Sequence, residues 1–162
     1  MLSAEQRTAA IDKIRTLPAQ LTELVSTLSE QQLAMHTPGE WSTRQIVHHL
    51  ADSHMNAMIR MKLALTEDTP AVKPYDQERW AELADSREPL DESLMILKGL
   101  HARWVALLES VSGAQWARQV MHPVNGLMSM DDLLALYAGH GENHLAQIQT
   151  TLATPMTNSL TN

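Results

Sequence analysis

The chain has 162 residues, 44% of them hydrophobic, with no cysteine and a formal charge of −7 at pH 7. This length suits one domain, so we expect a single domain over residues 1–152 and a frayed polar tail over residues 153–162. The lack of cysteine excludes disulfides, thiolate metal ligands and a cysteine nucleophile. The acidic balance argues against nucleic acid or an anionic membrane as a partner, because such binders carry a basic surface.

The sequence carries no signal for a membrane or for export. No apolar run approaches the roughly 18 residues that a membrane span needs. The first residues, MLSAEQRTAA, have neither the basic start nor the apolar centre of a signal peptide. We therefore expect a cytoplasmic protein whose partner is a small-molecule substrate.

Four long segments have apolar residues at spacings of three and four, which predicts helices. They cover approximately residues 3–28, 42–66, 90–111 and 130–152. Ser3, Ser129 and either Ser42 or Thr43 are candidate N-caps, and Asp132 would complete an acidic capping box with Ser129. Pro18 lies inside the first helix and predicts a kink near Thr16. No stretch has the alternation and turn signals of strands, so the fold class is all-α.

The connections between these helices indicate the topology. The segment between the second and third helices, residues 67–89, includes three prolines and a possible short helix in YDQERWAEL. It is long enough to cross the bundle, so the second and third helices are predicted to run parallel. A simple up-down-up-down bundle does not need such a connection, whereas a crossover four-helix bundle does.

Three histidines lie close together in the second helix, in QIVHHLADSH. At about 100° per residue, His48 falls opposite the apolar stripe and is expected to be solvated beside Asp52. His54 falls on the shoulder of the stripe and is expected to be buried or half-buried. His49 falls on a polar edge that it shares with Ser53, Asn56 and Arg60. That edge either lines a polar cavity or faces solvent.

The fourth helix contains the second histidine group, in LYAGHGENHLAQI. His140 and His144 lie one turn apart on the margin of the apolar stripe, where two imidazoles can reach one ion. Glu142 points away from both, so it is not assigned as a base. If the second and fourth helices are antiparallel neighbours, His49 lies at the height of this pair. The three nitrogens would then form an open metal face of the kind used in catalysis.

Other polar residues are candidates for the same pocket, each with a structural alternative. Arg60 could bind a substrate carboxylate or form an exposed ion pair, and Asn56 could orient water or pack between helices. Tyr137 could line the pocket or belong to the core, and His122 could lie on a loop that closes over it or be an exposed loop residue. The remaining aromatic and histidine residues are expected to be structural: His36, His101 and Trp41, the last as a hydrophobic staple.

The sequence resembles the DinB/YfiT-like superfamily, specifically its YfiT-like branch, over roughly residues 10–152. The resemblance rests on PGEWSTRQIVHHLADSH, HPVNG and LYAGHGENHLAQI. It implies a four-helix bundle with up-down-down-up connectivity and a long crossover between helices two and three. It also implies one divalent metal, nickel or zinc, on His49, His140 and His144. Gly139 and Gly141 are expected to loosen the last helix and make room near the metal.

The resemblance implies a metal-dependent hydrolase and leaves alternatives open. One is an S-transferase that uses an external low-molecular-weight thiol, such as bacillithiol, mycothiol or glutathione, in detoxification. Another is a metal or small-ligand binding module without catalysis, and a third is a bundle whose histidines are incidental. Members of the family associate in pairs, so a homodimer is also expected.

Overall fold

The computed structural model describes residues 1–154, so most of the predicted tail lies outside the described residues, while Ala153 still belongs to the last helix. The elements are α1 Ala4–Val25, α2 Glu30–Leu33, α3 Thr43–Thr66, α4 Gln77–Ala81, α5 Asp91–Ser110, β1 Gln119–His122, β2 Gly126–Ser129 and α6 Met130–Ala153. Short 3-10 helices cover Ala84–Arg87 and Gly113–Ala117. None of the helices within residues 1–154 is long and apolar enough to cross a membrane.

The local sequence explains where three of the four long helices begin. Ser3, Ser42 and Ser129 are the N-caps of α1, α3 and α6, and each forms a complete capping box with the residue three positions on. The predicted starts of these helices are therefore confirmed. Helix α1 ends at Val25, three residues before its predicted end, and it runs through Pro18 without stopping there.

Side-chain contacts fix the direction of α6 against its neighbours. Arg7, near the start of α1, pairs with Asp131 at the start of α6 at 2.7 Å, so these two helices are parallel. Arg60, late in α3, donates to the hydroxyl of Tyr137, in the first half of α6, at 2.6 Å. Helices α3 and α6 are therefore antiparallel.

A second pair of contacts places α5. His48 and His54 of α3 contact Ser93 and His101 of α5 in the same order along both helices, so α3 and α5 are parallel. Helix α1 packs against both α5 and α6, and α3 packs against the same two helices. The bundle thus has the predicted up-down-down-up connectivity, and the segment between α3 and α5 is its crossover.

One element contradicts the prediction that the chain has no strands. Strands β1 and β2 form an antiparallel hairpin, with Val120 paired to Met128. Both of these side chains are buried in the core, which holds the hairpin against the bundle. Gly126 has φ 72°, which favours glycine at the tight turn. Strands of four residues are too short to show a period in the sequence.

The two glycines of α6, Gly139 and Gly141, have different surroundings. A Cβ on Gly141 would lie 2.7 Å from Cδ2 of Leu17, so this glycine allows α6 to approach α1 closely. A Cβ on Gly139 would meet nothing within 4 Å. The expectation that Gly141 makes room near the metal is therefore wrong, because Gly141 serves the packing of two helices, whereas the expectation for Gly139 stays a prediction.

Candidate metal centre

The structure brings His49, His140 and His144 together between α3 and α6. Each offers one ring nitrogen, and these three atoms all lie within 4.8 Å of one another. The Nε2 atoms of His49 and His140 are 3.1 Å apart. The ring centroid of His144 lies 4.5 Å from that of His140 and 5.0 Å from that of His49. The antiparallel packing of α3 and α6 produces this cluster, as the helix rotation indicated.

Two of the three imidazoles are held through their other ring nitrogen. Nδ1 of His140 lies 3.2 Å from Nε2 of His54. Nδ1 of His144 donates to Oε1 of Gln147 at 2.9 Å, and Nε2 of Gln147 donates to a carboxylate oxygen of Glu40 at 3.2 Å. Because the Glu40 carboxylate only accepts, it fixes the orientation of the Gln147 amide, so Nε2 of His144 is left with a free lone pair.

Burial keeps the cluster in the form that binds metals. Burial and the neighbouring His140 and His144 lower the pKa of His49 from 6.5 to about 3. Burial and His144 lower the pKa of His140 to about 4. Burial also lowers the pKa of His144, against the opposing effect of its hydrogen bond to Gln147. All three imidazoles are therefore neutral at pH 7, and neutral imidazole is the metal-ligating state.

The donor set fits one divalent ion. Metal–nitrogen bonds of about 2.05 Å at tetrahedral angles put neighbouring nitrogens about 3.3 Å apart, close to the observed 3.1 Å edge between His49 and His140. Within residues 1–154, no fourth histidine or carboxylate joins this group. Three protein ligands leave coordination positions for water or substrate, as in catalytic rather than structural zinc sites.

An opening beside the cluster leads to the surface. A cavity of about 180 Å³ is lined by His144 and by Gly39, Glu40, Trp41, Gln77, Glu78 and Gln147. Trp41 forms the wall on the histidine side: its ring centroid lies 4.5 Å from that of His49 and 6.3 Å from that of His144. The indole N–H of Trp41 donates to Glu78 at 2.9 Å, which fixes the ring. Trp41 is therefore part of the site as well as a residue packed at the start of α3.

His48 is not solvated, and that expectation is wrong. It is buried, with 8% of its surface exposed. Its Nε2 donates to the carbonyl of Glu88 at 3.0 Å, and its Nδ1 accepts from the hydroxyl of Ser93 at 2.7 Å. The end of the crossover segment covers this face of α3, which a rotation of one isolated helix does not reveal.

The four additional pocket candidates lie outside the cluster itself. Arg60 is buried and donates to the hydroxyl of Tyr137 and to the carbonyl of Lys73. The ring centroid of Tyr137 is 6.2 Å from that of His140. His122 is the last residue of β1, next to the hairpin turn, where its burial and the charge of Arg60 lower its pKa. Asn56 donates to a backbone carbonyl of its own helix at 2.9 Å.

Some residues of the site were not recognised in the sequence. Gln147 lies three residues after His144, a spacing that places it on the same helix face and could have indicated its role. Glu40 and the wall formed by Trp41 come from the loop before α3 and carry no such signal. His54 is fully buried, as expected, whereas the link from His101 to the cluster was missed. Glu142 is away from the cluster and pairs with Lys13 at 2.8 Å.

Comparisons with known proteins agree with this fold. Residues 13–148 match the model of the DinB superfamily. A relative from Oceanobacillus iheyensis, named a "putative metal-dependent hydrolase", is 45% identical over 139 residues, 85% of this chain and 81% of the relative. A Bacillus cereus relative with the same name is 46% identical over 139 residues, 85% of this chain and 80% of its own.

A solved structure also matches. YfiT from Bacillus subtilis, described as a "probable metal-dependent hydrolase with an unusual four-helix bundle topology", has a TM-score of 0.90 and 41% identity. The match covers 93% of this chain and 88% of YfiT. The chain therefore belongs to the DinB superfamily, and within it to the YfiT-like proteins.

Proposed function

We propose that the protein is a metal-dependent hydrolase that holds one divalent ion, zinc or nickel, on the Nε2 atoms of His49, His140 and His144. The observation that carries this proposal is the cluster itself: three neutral imidazoles within 4.8 Å, without a fourth protein ligand among the described residues. The names of the relatives from Oceanobacillus iheyensis and Bacillus cereus support the same function.

When bound, such an ion lowers the pKa of a coordinated water to about 7 and polarises a substrate carbonyl. The protein would supply the geometry around it. Trp41 walls the site against His49, and Gln147 and Glu40 hold the His144 ring, so that little reorganisation is needed when a substrate enters. The cavity of about 180 Å³ admits only a small reacting group, so the rest of the substrate would stay at the surface.

Arg60 and Tyr137 lie on the far side of His140 and do not line this cavity, and Arg60 is proposed to attract an anionic group of the ligand from there. The guanidinium of Arg60 contacts a hydroxyl and a backbone carbonyl, and none of the ion pairs within residues 1–154 includes it. A buried cation without a carboxylate partner favours an anionic group on the ligand. Replacing Arg60 with Met should therefore raise KM for an anionic substrate more than for a neutral one.

Thiol transfer is the competing reaction at the same open positions. The chain has no cysteine, so the thiol would come from outside, and a metal-coordinated thiol is deprotonated. The chemistry of the three histidines is the same for both reactions. The two proposals therefore differ in the product and not in the ligands.

The test uses purified protein loaded with zinc or nickel. Chromogenic esters and amides report hydrolysis, and glutathione or bacillithiol with an electrophilic dye reports conjugation. His144→Ala removes a ligand, and His36→Ala is the control, because His36 is an exposed histidine before α3. Hydrolysis that His144→Ala abolishes and His36→Ala retains is the expected result. Conjugation alone would replace hydrolase with transferase, and neither activity in the metal-loaded protein would favour a binding module.

A further inference from the structure

A continuous line of buried histidines leads from α5 to the metal centre. Nδ1 of His101 lies 2.6 Å from the carbonyl oxygen of Ile14, and its Nε2 lies 2.8 Å from Nδ1 of His54. Nε2 of His54 lies 3.2 Å from Nδ1 of His140. His54 is fully buried and His101 is 1% exposed. Each ring thus uses both nitrogens, and the line ends at a proposed ligand.

The line starts at a carbonyl that a proline has freed. In a helix, the carbonyl of residue 14 normally accepts from the N–H of residue 18, and residue 18 is proline, which has no N–H. The carbonyl of Ile14 would be left without this partner in the buried interior of α1. Nδ1 of His101, in α5 and 87 residues later in the chain, donates to this carbonyl in place of the missing N–H. The interior proline and the buried histidine therefore satisfy one hydrogen-bond requirement together.

The carbonyl of Ile14 determines the direction of every hydrogen bond in the line. A carbonyl only accepts, so Nδ1 of His101 must donate, and the neutral ring then has an accepting Nε2. Nδ1 of His54 must therefore donate to it, which leaves Nε2 of His54 as an acceptor. Nδ1 of His140 must donate in turn, and Nε2 of His140 keeps a lone pair directed at the cluster.

The surroundings keep the line neutral and free of competing partners. The rings of Trp104 and Tyr137 lie edge-on to His54, with centroids 5.4 Å and 6.1 Å away. His54 and His101 are 0% and 1% exposed, so a positive charge on either ring would be cut off from water. Because the rings are neutral, the hydrogen bond from His101 to Ile14 determines which ring nitrogen of His140 carries the proton.

We propose that His54 and His101 are positioning residues for the metal centre, which set the tautomer of His140 from the Ile14 carbonyl that Pro18 leaves free. This inference rests on the proposed metal-binding role of His140. It gives a function to two histidines that do not themselves reach the cluster. The partner of a metal-ligating histidine typically changes metal affinity by about 10- to 100-fold when it is removed.

The first test measures tautomers in the metal-free protein. Long-range 1H–15N spectra of wild type distinguish a histidine protonated at Nδ1 from one protonated at Nε2. The expected result is Nδ1–H for His101, His54 and His140. Protonation of His140 at Nε2 would overturn the inference. Because this spectrum needs no metal, it tests the tautomer separately from metal binding. Nδ1–H at His140 in a protein that binds no metal would defeat the proposed function and, with it, the role of the line at a metal centre, whereas Nε2–H in a protein that binds metal would overturn the inference alone.

The second test compares variants by zinc competition with a chromophoric chelator, after circular dichroism has shown that they fold. His54→Leu removes the acceptor for His140 and should weaken zinc binding by about 10- to 100-fold. His54→Gln keeps an accepting oxygen and should restore most of the affinity. His48→Leu is the matched control, since His48 is also a buried, doubly bonded histidine of α3 but lies outside the line. If His54→Leu and His48→Leu lose zinc affinity to the same extent, His54 only packs the bundle and the inference is wrong.

Discussion

The histidine cluster makes the metal-free protein sensitive to mild acid. The folded-state pKa values of His49 and His140 are about 3 and about 4, whereas both have an ordinary value of 6.5. Well above pH 6.5 neither group takes up a proton in either state, so they do not change the stability. As the pH falls below 6.5, these histidines bind protons in the unfolded chain but stay unprotonated in the folded chain. Stability is therefore lost progressively from pH 6.5 towards the folded-state values.

The size of this loss follows from the pKa values. Between neutral pH and about pH 5, protonation of each histidine in the unfolded chain lowers the free energy of unfolding by about 2 kcal/mol. His49 and His140 together therefore lower it by about 4 kcal/mol. A domain of this kind has a total stability of about 5–15 kcal/mol, so a loss of this size removes a large part of it. His49→Gln should abolish about half of the effect of the pair.

The assay is urea unfolding with a metal chelator, followed by circular dichroism at about pH 7.5 and about pH 5. Through His49 and His140 the free energy of unfolding of wild type should fall by about 4 kcal/mol, and that of His49→Gln should fall by about 2 kcal/mol less than that of wild type. His36→Gln, an exposed histidine, should behave as wild type. A loss in His49→Gln equal to that of wild type would show that His49 is not held neutral by burial.

Two packing predictions use thermal or urea unfolding of the metal-free protein. Gly139→Ala should stabilise it by up to about 1 kcal/mol through helix propensity. Gly141→Ala has the same propensity gain but loses about 1–3 kcal/mol because the new Cβ would meet the buried Leu17, so it should be less stable than Gly139→Ala by that amount. Equal effects would contradict the role given to Gly141. Asp131 is 1% exposed and accepts two hydrogen bonds from Arg7, so Asp131→Asn should cost about 1.5–3 kcal/mol; an unchanged urea midpoint would refute it.

The helices and the position of the cluster could be predicted because they depend on local patterns. Serine capping boxes fix the starts of α1, α3 and α6, and the 3.6-residue period places His49, His140 and His144 at the margins of the apolar stripes. The antiparallel packing of two helices then needs only a comparison of lengths. The helix starts, the positions of the histidines on their helices and the pairing of the two helices each depend on one helix or on two regular helices.

The remaining features depend on contacts between distant segments. His48 is buried by Glu88, at the end of an irregular crossover that no periodicity describes, and by Ser93 in the first turn of α5. The Ile14 carbonyl meets His101 across the bundle, and nothing in the local sequence of α5 indicates that partner. The sequence shows the proline in α1 but not which side chain takes the place of the missing N–H.

The central claim is that His49, His140 and His144 hold one divalent ion. The most direct measurement is metal content by mass spectrometry of wild type and of the three single histidine-to-alanine variants, after reconstitution with zinc or nickel. His36→Ala is the control. We expect about one ion per chain in wild type and in the control, and a clear loss in each of the three variants. A wild type that stays free of metal after reconstitution, or three variants that all keep it, would contradict the account.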